Sequence, residues 1–114
     1  MPDPSRMPVG ELRRLIEARR FATHFQPIVD TVSRAIVGHE ALVRAPSAAP
    51  WNSPLAFFVQ ADAEDCAIEL DLTLIELAIT RFRASGVPGK LFVNVMPATL
   101  FAADGLKVCI HVMT

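Results

Sequence analysis

The run Phe21-Ala22-Thr23-His24-Phe25-Gln26-Pro27-Ile28-Val29-Asp30-Thr31-Val32-Ser33-Arg34-Ala35-Ile36-Val37-Gly38-His39-Glu40-Ala41-Leu42-Val43-Arg44 sets two apolar stretches on either side of a short polar turn. Phe25, Ile28 and Val29 favour a strand. Pro27 has no N–H to give to a ladder, so that strand is expected at an edge or in an irregular position. After the turn at Asp30 to Arg34, residues Ala35 to Arg44 predict a second strand. It is apolar on nearly all of both faces, the pattern of a sheet covered on both sides.

Outward from this pair the apolar spacing changes. Upstream, Leu12, Leu15 and Ile16 recur at helical intervals among charged residues and predict a short amphipathic helix over Gly10 to Arg20. Downstream, Ala45 to Pro54 is a Pro/Ser loop around Trp51, which either anchors the loop or closes over a ligand. Pro54 suits a first helical turn. Leu55 to Asp65 is expected to be helical with Phe57, Phe58 and Ala61 inward. A second helix is expected over Glu69 to Ala84 with Leu70, Leu74, Leu77, Ala78 and Phe82 buried, ended by Gly86 and Pro88. Lys90 to Met96 predicts a third strand, and Pro97 to Ala103 a helical turn. Alternation of Val108, Ile110 and Val112 predicts a further strand over Gly105 to Thr114. Strands interleaved with helices define an α/β class.

Composition narrows the function classes. With Lys+Arg 11 against Asp+Glu 12, the chain carries no basic field for a nucleic acid duplex. The apolar stretch Leu91 to Met113 is broken by Asn94, Pro97, Asp104 and Lys107, so no membrane span is expected. Met1 to Pro8 lacks a signal-peptide core, which makes the cytoplasm the default location. Cys66 and Cys109 share no metal-ligand spacing and are expected to be buried thiols rather than a disulfide. The three histidines show no zinc-binding spacing.

Polar residues inside apolar strands are the candidates for chemistry. Glu40, on the face of Gly38, Leu42 and Arg44, must be exposed, paired with a base such as Arg44, or bound to a metal. Asn94 either satisfies a loop or offers a carbonyl oxygen as a ligand. Together the two supply hard oxygen donors, which suit Mg²⁺ or Mn²⁺ rather than zinc. Gln26 is a third polar group within an apolar run. Asp62, Glu64, Asp65 and Glu69 are expected at helix ends in solvent, and Asp71 reads as an early-turn residue favoured by the helix dipole.

Four ordered motifs carry a family resemblance: Phe25-Gln26-Pro27-Ile28-Val29, Gly38-His39-Glu40-Ala41-Leu42-Val43-Arg44, Pro54 through Ala61-Asp62, and Phe92-Val93-Asn94-Val95-Met96-Pro97. In this order they resemble the opening of EAL domains, with the Glu-Ala-Leu signature at Glu40 to Leu42. The resemblance implies a modified (β/α)₈ TIM-type barrel, incomplete here, whose first strand runs antiparallel to the rest. The turn at Asp30 to Arg34 agrees, being too brief for a parallel crossover.

The resemblance also implies cyclic di-GMP as ligand and, in complete relatives, its metal-dependent hydrolysis to the linear dinucleotide. Glu40 and Asn94 resemble metal ligands of that family, with Mg²⁺ or Mn²⁺ as cofactor. Gln26, Leu42 and Arg44 match positions lining the dinucleotide, where a guanidinium suits phosphate oxygens. Met96 and Asp62 depart from the usual serine and glutamate of the family. The further carboxylates of a two-metal site have no counterpart before Thr114, so the chain is expected to be a truncated, inactive portion. The alternative is a non-catalytic dinucleotide-binding or protein-interaction module, with self-association through open barrel edges. The expected division is a leader and amphipathic helix over 1–20, the N-terminal part of the domain over 21–103, and a divergent tail over 104–114.

Overall fold

The computed structural model describes residues 7–44 and 53–101. The order of elements is α1 (Glu11–Ala18), β1 (Ala22–Val29), β2 (Ile36–Arg44), α2 (Pro54–Ala63), α3 (Ala67–Ser85), β3 (Lys90–Phe92) and α4 (Pro97–Phe101). The strand expected over 105–114 and Trp51 lie outside the described residues.

The polar turn works as its residues suggest. Asp30 Oδ1 accepts the backbone N–H groups of Val32 at 2.8 Å and Ser33 at 3.0 Å. Arg34, at φ 63°, then closes the loop, and Asp30 N–H donates to the Ala35 carbonyl at 2.9 Å. An aspartate that bonds its own backbone two and three residues on replaces several turns of ladder with one local device. The Ser33 and Val32 N–H groups also hold the Asp30 carboxyl below its ordinary value.

From this turn β1 and β2 pair antiparallel, with Ala22 opposite Arg44 and Gln26 opposite Glu40. The register slips between Ile28 and Val29, which face Gly38 and Ile36. Strict alternation on β2 therefore holds from Gly38 to Arg44 and leaves Ile36 outside it. β2 then pairs parallel with β3, Glu40 lying opposite Phe92, to give the sheet order β1-β2-β3. Among the described residues Pro27 thus sits on an outer strand of the sheet, the position its missing N–H favours.

The crossover between the parallel strands is the α2–α3 pair, and it covers one face of the sheet. Ser53 caps α2 by accepting the Ala56 N–H at 3.2 Å, with Pro54 in the first turn. Gly86, at φ 72°, ends α3 in the left-handed region that glycine reaches freely. The core lies between these helices, α1 and the start of β1: Leu12, Leu15, Phe21, Phe57, Ala61, Cys66, Leu70 and Leu77 are buried together. The rings of Phe21 and Phe57 meet edge to face at 5.7 Å.

Two expectations change. β3 ends at Phe92 rather than Met96; beyond it the backbone leaves the ladder, and the Met96 N–H donates to Asp71 Oδ2. Among the described residues, β2 is covered on one face only. Phe82 of α3 packs on Phe25 and His39 at 5.5 and 5.9 Å, while Phe92 on the other face is 45% exposed. Asp71, read as an early-turn residue, lies in the early part of α3 and is buried there, at 2% exposed. No helix among the described residues is long and apolar enough to cross a membrane, and Cys66 is a free, buried thiol.

Candidate functional site

Pairing fixes which side chains share a face, because directly opposed residues point the same way. Thr23, Phe25, His39, Ala41 and Val43 belong to the helix-covered face. His24, Gln26, Gly38, Glu40, Leu42, Arg44 and Phe92 belong to the other. Four of the five candidate site residues are therefore brought to one side of β1 and β2, away from the helices. Glu40 and Leu42 are half-buried there, and Gln26 and Arg44 are exposed.

Asn94 stands differently. It lies two residues beyond Phe92, past the last paired position, at the same carboxyl end of the sheet as Leu42. The ladder does not assign it a face. It is exposed and borders a cleft of about 380 Å³ between the helix-side of β2, α3 and the Val93–Pro97 segment. Leu42 also borders this cleft, whereas Gln26, Glu40 and Arg44 do not. The cleft is mainly apolar, lined by residues such as Val43, Phe58, Leu74 and Ile75, and so is not the polar face itself.

Glu40 takes part in none of the ion pairs among the described residues, which join Arg13 to Glu69, Arg14 to Glu11 and Arg19 to Glu76. Arg44 turns instead to the Val43 carbonyl at 2.7 Å. Among the described residues, therefore, Arg44 does not pair with Glu40. The donor types at Glu40 and Asn94 fit a hard divalent cation. Two donors do not complete its shell, however, and no group of three or more His, Cys, Asp or Glu residues is poised for a metal among the described residues.

Sequence reading missed the residue that holds this end of the sheet. Asp71 on α3 accepts the Met96 N–H through Oδ2 at 3.0 Å. An acidic residue near a helix start gives no sign of an acceptor role 25 positions away; only its place beside Leu70 and Leu74, on the apolar stripe, hinted at burial.

A mixed sheet whose first strand is antiparallel, with helices on one side and polar residues on the other, is the opening of a barrel of the TIM type. The model of the EAL domain family matches residues 9–111, and the chain belongs to that family. Solved structures agree in fold. The EAL domain of Xanthomonas citri FimX in complex with c-diGMP matches with a TM-score of 0.72 at 21% identity, over 92% of this chain and 42% of that one. The PaMucR phosphodiesterase, in a c-di-GMP complex, gives 0.68 at 21% identity, over 90% and 44%. An EAL domain protein from Listeria monocytogenes gives 0.68 at 20% identity, over 94% and 44%. The chain thus spans less than half the length of these structures. A search among curated proteins finds no match.

Proposed function

We propose that this chain contributes the first part of a cyclic di-GMP site, with Glu40 and Asn94 as oxygen ligands to Mg²⁺ or Mn²⁺ and Gln26, Leu42 and Arg44 lining the dinucleotide. The observation that carries the reading is the alignment of Gln26 directly opposite Glu40 on the face that the helices leave open. Arg44, two positions beyond Leu42 on that face, offers paired donors to a phosphate. A bound cation would supply charge neutralisation at the phosphodiester. Membership of the family and the c-di-GMP in two similar structures support this ligand.

Hydrolysis to the linear dinucleotide is the activity of complete relatives; the chain by itself is expected not to turn over. One glutamate and one asparagine cannot hold two cations and offset their charge. The alternative reading is a non-catalytic dinucleotide-binding or protein-interaction module. Either role belongs to cytoplasmic signalling, with residues 21–103 as the working portion.

Incubation with cyclic di-GMP and Mn²⁺, followed by chromatography and affinity measurement, separates these readings. Binding without product, weakened at least tenfold by Glu40→Ala, is expected. Product formation lost in Glu40→Ala would move the chain to the enzymes, and absence of binding would remove the ligand.

A further inference from the structure

Beyond Phe92 the backbone has no ladder to define it, and yet Asn94 lies in this stretch. We propose that Asp71 is the positioning residue for Asn94: its buried carboxylate clamps Met96 and so fixes the segment that carries the amide. The proposal rests on the reading of Asn94 as a ligand, but its structural half stands on separate observations.

Met96 is held from both sides. Its N–H donates to Asp71 Oδ2 at 3.0 Å. Its carbonyl accepts the N–H groups of Thr99 at 3.0 Å and Leu100 at 3.2 Å, which starts α4. Asn94 is then two residues from a paired strand position and two from a doubly bonded one. At about 3.5 Å of reach per residue, a four-residue span pinned at each end leaves its middle little freedom.

The anchor itself is tied to the strand that bears Glu40. Asp71 belongs to α3, and α3 is keyed to the sheet farther along. Arg81 donates to the Phe21 carbonyl and to Thr23 Oγ1, and Phe82 packs on Phe25 and His39. One rigid helix thereby references the Asn94 segment to β1 and β2. A carboxylate removed from water is costly unless its acceptors are used, and an apolar side chain would pack beside Leu70, Leu74 and Ile75 at lower cost. Asp71 is 2% exposed all the same. What the acid supplies in return is a fixed acceptor for a backbone group that has left the sheet.

Amide exchange and NMR on the full chain test this. In Asp71→Ala, Met96 N–H exchange should rise by about tenfold or more, and the Asn94 backbone and side-chain amide signals should broaden or split. Leu77 and Phe82 amides should stay as protected as before. Asp71→Asn, whose amide oxygen still accepts, should restore both. Should Asp71→Ala fail to fold, Met96→Pro removes the donor from the other side, and the same disorder at Asn94 is expected. Wild-type behaviour of Asn94 in these variants, or an Asp71→Asn protein as disturbed as the alanine one, would overturn the proposal. Added Mn²⁺ keeps the two ideas apart. Paramagnetic broadening at Glu40 and Asn94 in the wild type bears on the ligand reading alone. Its loss at Asn94, with Glu40 still broadened, is the result expected for Asp71→Ala.

Discussion

Phe92 lies over Gly38 of the neighbouring strand so closely that a β-carbon at Gly38 would stand 2.5 Å from ring Cε2 and 2.9 Å from the Lys90 carbonyl oxygen. Glycine here is a matter of close approach: it lets a ring from β3 rest on β2 directly beside Glu40. Gly38→Ala should therefore destabilise the fold by about 1–3 kcal/mol, as overpacking of a fixed site does. Adding Phe92→Ala should recover part of this, the Lys90 carbonyl accounting for the remainder. Urea unfolding of the single and double variants measures both, and an unchanged midpoint for Gly38→Ala would speak against the packing described.

The turn that orients β1 against β2 should respond to acid. Asp30 has its carboxyl lowered by the Ser33 and Val32 N–H groups from the ordinary value of 3.8. A depressed folded value means that the turn's contribution is fully present above the ordinary value and is lost as pH falls through the lower folded one. Exchange at the Val32 and Ser33 amides should accelerate, relative to their unfolded rates, only in that acid window. Asp30→Asn should flatten this response. An identical pH profile in wild type and variant would refute the assignment.

Burial, with Glu64, Glu69 and Asp65 adding to it against an opposing Arg13, pushes the Cys66 thiol up from its ordinary value. A buried, protonated thiol is a poor nucleophile. Alkylation of the peptide containing Cys66, followed by mass spectrometry near neutral pH, should be slow in native protein and become fast in denaturant. Labelling at the rate of a free thiol without denaturant would contradict the core arrangement.

These features differ in how far the sequence discloses them. The turn, both paired strands and the helices α2 and α3 were legible, because Asp30, Ser53-Pro54 and Gly86 are local devices whose chemistry acts within a few residues. The short turn made antiparallel pairing legible, but the Gln26–Glu40 juxtaposition was not, because it depends on the register shift between Ile28 and Val29. The end of β3 was not legible: Val93 and Val95 look like strand residues, and the competing acceptor, Asp71, is remote in sequence. The two apolar faces of β2 suggested double coverage, but sequence records that a face is apolar, not which element meets it.

Among the described residues β1 and β3 are the outer strands of the sheet and one sheet face carries no helix, an arrangement that should make the chain associate. Unpaired strand edges template further pairing, and a half-exposed Phe92 adds apolar surface beside them. Sedimentation at increasing concentration should show growing oligomers and light scattering a polydisperse sample. A monodisperse monomer that melts cooperatively would exclude this.

The central claim is that the polar face of β1 and β2, not the helix-side cleft, meets the dinucleotide. Titration of isotopically labelled chain with cyclic di-GMP and Mg²⁺, followed by NMR, addresses it residue by residue. Shifts concentrated at Gln26, Glu40, Leu42, Arg44 and Asn94, with Phe25, His39 and Val43 little moved, are the predicted result. Shifts centred on Leu74, Ile75 and Val43 in the cleft, or no shifts at all, would contradict it.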